Sequence, residues 1–185
     1  MIGSLKQAWL VLILALGFGG TLAAVQISLS PIIEKNKQMK SVSRIPDLVP
    51  GADIGESEIV HIEGRRVYQA RNAAGEHIGW VLPASGQGYA DVIELLVGTN
   101  VDLSTITGIS VLAQKETPAL GDKITHDFFT DQFEGIPTQQ PITLDKDGGP
   151  IVTITAATIS SQSVCDITNK AVRQWKPELK NYEKQ

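Results

Sequence analysis

The feature that most constrains this chain is an apolar run near its N-terminus, since residues 8–27 include no charged side chain. A helix of about twenty residues rises roughly 30 Å, which matches the hydrocarbon core of a bilayer. A cleaved signal peptide is the alternative, but its apolar stretch is usually about 7–15 residues long. The length of the run therefore favours a retained membrane anchor, which we predict to occupy residues 1–30.

The charges that flank this run bear on its orientation. Lys6 precedes the run, whereas Lys35, Lys37, Lys40 and Arg44 follow it. By the positive-inside rule, this excess of positive charge would place the C-terminal part of the chain in the cytoplasm.

The rest of the chain has the composition of a single globular domain. The net charge is −4 and no basic stripe is present, which argues against nucleic-acid binding. Cys165 is the one cysteine, and it is predicted to be a buried apolar side chain on a helix. No spacing of cysteine and histidine indicates a metal site. We predict a linker or helix extension over residues 31–50 and one domain over residues 51–185.

Short apolar runs separated by turn residues predict strands before a final helix. The strands are expected at residues 66–71, 77–82, 93–97 and 108–114. The first two are predicted to form a hairpin with its turn at residues 72–76, and a glycine-bearing loop is expected at residues 83–89. Weaker signals predict a short helix at residues 123–134 and a second hairpin around residues 145–149. From Val164 to Trp175, apolar residues recur at three- and four-residue steps, which predicts an amphipathic helix that Pro177 ends. Strands followed by a helix indicate the α+β class.

The first candidate site is a cluster of small and hydroxyl residues just before this helix. Residues 155–161 read Thr-Ala-Ala-Thr-Ile-Ser-Ser. A helix N-terminus offers unpaired backbone N–H groups and the positive end of the helix dipole, which together suit a phosphate group. Ser and Thr are also ordinary N-cap residues, so the residue types alone leave a purely structural role open.

The second candidate site lies between a predicted strand and a predicted helix. Residues 116–123 read Glu-Thr-Pro-Ala-Leu-Gly-Asp-Lys. Pro118 and Gly121 predict a tight loop that presents a carboxyl group, a hydroxyl and backbone amides to a planar ligand, although an ordinary turn has the same composition. No Ser–His–Asp set, pair of catalytic carboxylates or P-loop is indicated, so no catalytic residue is predicted.

Taken in order, these segments resemble one family. One N-terminal span precedes a glycine loop ending in Gly88 and Tyr89, a Glu-Thr-Pro-x-Leu-Gly segment at residues 116–121, and a Thr-x-Ala-Thr segment at residues 155–158. This order resembles the FMN-binding, G-type subunit of Rnf electron-transport complexes, and the C-type subunit of the sodium-pumping NADH:quinone reductase is similar. The resemblance covers nearly the whole chain and implies an α+β FMN-binding domain behind one transmembrane helix.

The resemblance also implies roles for individual residues. FMN would be attached by a phosphoester to Thr158, within a motif formed with Thr155, Ala156 and Ala157. The residues implied to lie near the isoalloxazine ring are Glu116, Thr117, Leu120, Gly121 and Tyr89.

Three positions depart from the family's pattern. Ala156 and Ala119 stand where the family has glycine, and Val152 stands where an acidic residue is often found. Alanine at position 156 is compatible with the motif provided that its φ is negative.

The function implied by the resemblance is that of an electron-transfer subunit in an ion-translocating ferredoxin:NAD oxidoreductase complex. Such a subunit would not be an independent catalyst, would bind multi-span partner subunits, and would be matured by a flavin transferase. Its domain would lie outside the cytoplasm, on the outer side of a bacterial inner membrane, in conflict with the charge count. The alternatives are a flavin-free anchored scaffold, a stand-alone extracytoplasmic flavin reductase or sensor, and the C-type subunit of the quinone reductase.

Overall fold

An N-terminal helix is followed by a sheet and its covering helices. The computed structural model describes residues 2–182, with side chains at Trp9 and from residue 11 onward. Two units can be separated, Met1–Lys40 and Ser41–Gln185.

Helix α1 spans Ile2–Ser43 without a break, and Pro31 lies inside it. The segment Val11–Ser43 is long and apolar enough to cross a membrane. Its apolar side chains are exposed, including Leu16 at 82% and Leu22 at 70%. A long exposed apolar surface is unfavourable in water and marks a membrane or protein contact. The predicted single apolar N-terminal helix is therefore confirmed.

The compact unit is built on a five-stranded antiparallel sheet with the strand order β1-β2-β3-β4-β5. The strands are β1 (Asp53–Ile62), β2 (Arg65–Arg71), β3 (His77–Gln87), β4 (Val92–Asn100) and β5 (Ile106–Ala113). The four predicted strands are confirmed as β2 to β5. Strand β1 was not predicted because it is a mostly exposed edge strand with few apolar positions.

Side chains that alternate along each strand build two apolar layers, one on each face of the sheet. Trp80 and Leu82 point into the larger layer, which helix α4 (Thr158–Tyr182) covers. Val81, between them, points into the smaller layer, which the short helix α2 (Ile45–Leu48) covers. This alternation is the two-residue period of a strand. The compact unit begins at Ser41, ahead of the expected position 51, because Ile45 and Leu48 are buried in this smaller layer.

One predicted loop is part of a strand. Residues 83–87 extend β3 and pair with β4, with Pro83 opposite Leu96. Strand β2 pairs with β3 only as far as Val81, so Pro83 lies where β3 has one neighbour and no second ladder needs its N–H. The loop is shorter than predicted and lies between β3 and β4.

Three other predictions are corrected by tertiary structure. The helix predicted at residues 123–134 is broken at His126, whose backbone is extended, into a 3₁₀ turn (Gly121–Thr125), helix α3 (Asp127–Thr130) and a second 3₁₀ turn (Asp131–Phe133). The hairpin predicted around residues 145–149 is a 3₁₀ turn, Asp145–Asp147, beside a single parallel bridge.

The third correction is that helix α4 does not end at Pro177 but continues to Tyr182. Contacts beyond the proline hold this last part of the helix. Leu179 is fully buried, and Glu178 forms an ion pair with Arg65, whose guanidinium lies over the ring of Trp175. These contacts offset the lost backbone hydrogen bond, so a proline that usually ends a helix is tolerated here.

Candidate functional site

The first turn of α4 lies directly after a tight backbone turn. The N–H of Ala157 donates to the carbonyl of Ile154 at 2.9 Å and closes a four-residue turn. Helix α4 begins at the next residue, Thr158, and the N–H of Ser161 donates to the carbonyl of Ala157 at 3.0 Å. The N–H groups at the start of such a helix lack intrahelical acceptors, so the partial positive charges of these N–H groups are concentrated near Thr158.

Five hydroxyl side chains lie between residues 153 and 161, and three of them have structural partners. Thr153 Oγ1 donates to Asp145, Ser160 Oγ donates to Glu116, and Ser161 Oγ donates to the carbonyl of Ala157. Thr155 and Thr158 make no side-chain hydrogen bond within residues 2–182. Thr155 is exposed and Thr158 is half-buried. A hydroxyl available for chemistry in this segment is therefore at one of these two positions.

The carboxyl group of Glu116 joins three segments that are distant in sequence. It accepts hydrogen bonds from the N–H of Tyr89 at 3.3 Å and from the N–H of Ala90 at 3.1 Å. It also accepts a hydrogen bond from Ser160 Oγ at 2.5 Å. Only 5% of Glu116 is exposed. The glycine loop, the Glu-Thr-Pro segment and the first turn of α4 thus meet at one buried carboxyl group.

Two glycines allow this approach. A Cβ atom at Gly88 would lie 2.3 Å from Glu116 Oε1, and a Cβ atom at Gly121 would lie 2.8 Å from Ser160 Oγ and 3.1 Å from Glu116 Oε2. The two shorter distances are below any normal contact between carbon and oxygen, so only glycine fits at these positions. Gly88 and Ser160 were not among the predicted cofactor-binding residues. The sequence signal that could have identified them is their position, since Gly88 directly precedes Tyr89 and Ser160 lies two residues after Thr158.

The predicted site residues fall into two groups around this carboxyl group. Glu116 and Gly121 are buried at the centre, whereas Tyr89 is 63% exposed and Leu120 is 38% exposed. Thr117 is also exposed. The arrangement combines a buried polar centre with exposed apolar side chains.

The two alanines that replace family glycines both have left-handed backbones. Ala156 has φ +63° and Ala119 has φ +61°. Each is the third residue of a four-residue turn, since the N–H of Leu120 donates to the carbonyl of Thr117 just as the N–H of Ala157 donates to that of Ile154. A positive φ at this position of a turn favours glycine. The condition of a negative φ at Ala156 is therefore not met, and both alanines are strained.

Replacement of Ala156 with glycine is expected to raise the free energy of unfolding by about 0.5–1 kcal/mol. A left-handed backbone costs an alanine about 1–2 kcal/mol, and the extra entropy of an unfolded glycine offsets part of that gain. Thermal unfolding of the full-length chain in detergent, followed by circular dichroism, measures the difference. Ala157→Gly is the matched control, because Ala157 is buried and has no positive φ, so glycine there should destabilise. A lower melting temperature for Ala156→Gly would contradict the prediction.

Charged groups near these loops form local pairs. Lys115 Nζ lies 2.9 Å from Asp91 Oδ2, and this pairing lowers the pKa of Asp91 and raises the pKa of Lys115. Hydrogen bonds from Thr153 lower the pKa of Asp145. Burial, with the nearby charge of Asp166, raises the pKa of the Cys165 thiol to about 12. Cys165 lies on α4 and is fully buried, as predicted.

A groove of about 840 Å³ runs along the C-terminal half of α4 and is lined in part by Lys170, Arg173, Lys176 and Lys180. None of the predicted site residues lines it. Within the part of the chain that the structure describes, no three His, Cys, Asp or Glu side chains are grouped as metal ligands. Because the groove is separate from the candidate site, a substitution of one of its residues, such as Arg173, can serve as a control for substitutions in the site.

Comparison with known proteins identifies the class first. Residues 88–173 match the FMN-binding domain family, and this stretch includes Glu116 and its hydrogen-bond partners Tyr89, Ala90 and Ser160. The C-type subunit of the Na(+)-translocating NADH-quinone reductase from Parabacteroides distasonis has the same fold, with a TM-score of 0.55 and 20% identity over 72% of this chain and 79% of that one. NqrC of Shewanella oneidensis matches with a TM-score of 0.56 and 22% identity, over 63% of this chain and 61% of that one.

Sequence relatives then identify the family. The G-type subunit of the ion-translocating oxidoreductase complex of Methanosarcina acetivorans is 35% identical, over 86% of this chain and 84% of that protein. The G-type subunit of the proton-translocating ferredoxin:NAD(+) oxidoreductase complex of Clostridium ljungdahlii is 30% identical, over 84% of this chain and 83% of that protein. The chain belongs to the family of G-type subunits of ion-translocating oxidoreductase complexes, as its motif order predicted.

Proposed function

We propose that this chain is the electron-transfer subunit of an ion-translocating ferredoxin:NAD oxidoreductase complex and that it carries FMN joined by a phosphoester to Thr158. The observation that carries the proposal is the free hydroxyl of Thr158 at the start of α4, inside a segment that matches an FMN-binding domain. Three of the neighbouring hydroxyls already have partners, so the choice narrows to Thr155 and Thr158.

The residues present fit an FMN group. The amides and dipole at the start of α4 would stabilise the negative charge that remains on a phosphodiester at Thr158. The exposed side chains of Tyr89 and Leu120 offer apolar surface for the isoalloxazine ring, and the exposed hydroxyl of Thr117 can hydrogen-bond its polar edge.

The protein's part in the chemistry is to hold and tune the cofactor. FMN, when bound, supplies reversible electron transfer. Thr158 serves as a tether that keeps the flavin in place and takes no part in electron transfer. Helix α1 holds the domain at the membrane, where partner subunits of the complex lie. A flavin transferase would form the link during maturation.

Isolation of the native complex tests this function against its alternatives. The chain is expected to purify with multi-span membrane subunits and to give a fluorescent flavin band on a denaturing gel. A chain in the complex without this band would be a flavin-free scaffold, and a fluorescent chain that purifies alone would be a stand-alone flavin reductase or sensor.

We further propose that the C-terminal domain lies outside the cytoplasm. The family resemblance supports this orientation, whereas the basic residues after the span favour the opposite one. Alkaline phosphatase fused to the C-terminus should be active, because this reporter folds only outside the cytoplasm, and a cytoplasmic reporter at the same position should be inactive. The reverse pattern would mean that the charge count decides the topology.

A further inference from the structure

We propose that Glu116 is a positioning residue that holds the turn at Tyr89 and the first turn of α4 in place before the flavin binds. This role rests on the proposed function, since it concerns how the chain presents Thr158. The resemblance implies that Glu116 lies near the flavin ring, but the geometry points to a different role, in which the residue acts through the segments it joins.

Burial separates Glu116 from both the flavin and the transferase. The residue is 5% exposed, and its two carboxyl oxygens already accept three hydrogen bonds, from Tyr89 N–H, Ala90 N–H and Ser160 Oγ. A ligand at the surface meets the exposed side chains of Tyr89 and Leu120 instead. Any effect of Glu116 on flavin loading is therefore transmitted through the segments that it holds.

The hydrogen bond to Ser160 is the link to the attachment site. Ser160 is 2% exposed and lies in the first turn of α4, two positions after Thr158. The other donors, Tyr89 and Ala90, belong to the turn that presents the Tyr89 ring. Because one carboxyl group binds both the first turn of α4 and the turn at Tyr89, it fixes the distance between the Thr158 hydroxyl and the Tyr89 ring. Such preorganisation lowers the ordering cost of binding.

The packing around this carboxyl group supports the same role. A Cβ atom at Gly88 would clash with this carboxyl group, and one at Gly121 would clash with Ser160 Oγ and Glu116 Cβ. The N–H of Glu116 donates to Gln114 Oε1 at 2.5 Å, which fixes the backbone of Glu116 itself. The glycines of two separate motifs are thus explained by the buried, hydrogen-bonded pair of Glu116 and Ser160. A glutamate that only contacted the ligand would not require glycine on both sides.

The test measures flavin loading in the full-length chain co-expressed with a flavin transferase. Intact mass gives the fraction of chain with FMN over time, and visible circular dichroism reports the surroundings of the bound flavin. The variants are Glu116→Ala, Glu116→Gln and Ser160→Ala. The control is Thr99→Val, which removes a fully buried hydroxyl that donates to the carbonyl of Trp80, far along β4 from the site.

Glu116→Ala is expected to slow loading by about tenfold or more and to change the flavin's circular dichroism, since small misplacements of reacting groups have effects of this size. Glu116→Gln, which keeps one acceptor, should give partial rescue, and Ser160→Ala should reduce loading less than Glu116→Ala. If Glu116→Ala fails to accumulate, the Gln and Ser160 variants decide the question by the same measurements.

If the Glu116 and Ser160 variants load FMN as Thr99→Val does and give the same dichroism spectrum, the positioning role is overturned. The FMN proposal would remain intact. A wild-type chain that never gains FMN would overturn the proposed function, and this role with it.

Discussion

Replacement of Thr158 with alanine is expected to abolish covalent FMN on this chain. The alanine removes the oxygen that would carry the phosphoester, and it leaves the fold intact because the Thr158 hydroxyl has no hydrogen-bond partner within the described residues. The intact mass of the membrane-extracted chain should fall from that of the flavinylated protein to that of the bare polypeptide. The flavin fluorescence of the denatured band should disappear with it.

Two controls make this result specific. Thr155→Ala removes the other unpartnered hydroxyl of the same segment, and Arg173→Ala changes the separate groove on α4. Arg173→Ala should load FMN as the wild-type chain does. Fragmentation of the tryptic peptide between Lys146 and Lys170 then locates the adduct. An adduct that persists in Thr158→Ala and is lost in Thr155→Ala would move the attachment site to Thr155.

Replacement of Gly88 with alanine is expected to lower the free energy of unfolding by about 2–3 kcal/mol. The new Cβ would lie 2.3 Å from Glu116 Oε1, 2.8 Å from the carbonyl oxygen of Asp91 and 2.8 Å from Ile93 Cδ1. Overpacking of this kind typically costs about 1–3 kcal/mol. The carbonyl oxygen of Asp91 can move away from the new methyl group only if the backbone of the turn shifts with it. The melting temperature should fall by roughly 4–12 °C. Flavin loading should fall as well, because the Tyr89 and Ala90 amides would be displaced from Glu116.

Gly108→Ala is the matched control for this prediction. Gly108 lies in β5, where the nearest atoms to an added Cβ belong to Leu48 at 3.6 Å, which is an ordinary contact. Alanine in a strand interior is at least as favourable as glycine, so this variant should melt within a few degrees of the wild type. Equal melting temperatures for Gly88→Ala and Gly108→Ala would show that the turn relaxes around the added methyl group.

The elements that sequence predicted well are those whose signal is local. The uncharged run at residues 8–27, the hairpin around residues 72–76 and the apolar period from Val164 to Trp175 each follow from neighbouring residues, and each appears in the structure as expected. Errors arose where distant contacts outweigh local preference. Pro177 lies within α4 because Leu179 and Glu178 have partners elsewhere, and Pro83 lies within β3 because that part of the strand has one neighbour.

The sequence by itself determined the apolar N-terminal helix, the α+β class, the order of the three motifs and the hydroxyl residues before the last helix. Only the tertiary structure decided that Glu116 is buried between these motifs, that Ser160 and Ser161 are occupied, and that Ala119 and Ala156 have positive φ. The physical reason is that a motif specifies residue types over a few positions, whereas burial, hydrogen-bond partners and backbone strain depend on segments that meet only after the chain has folded.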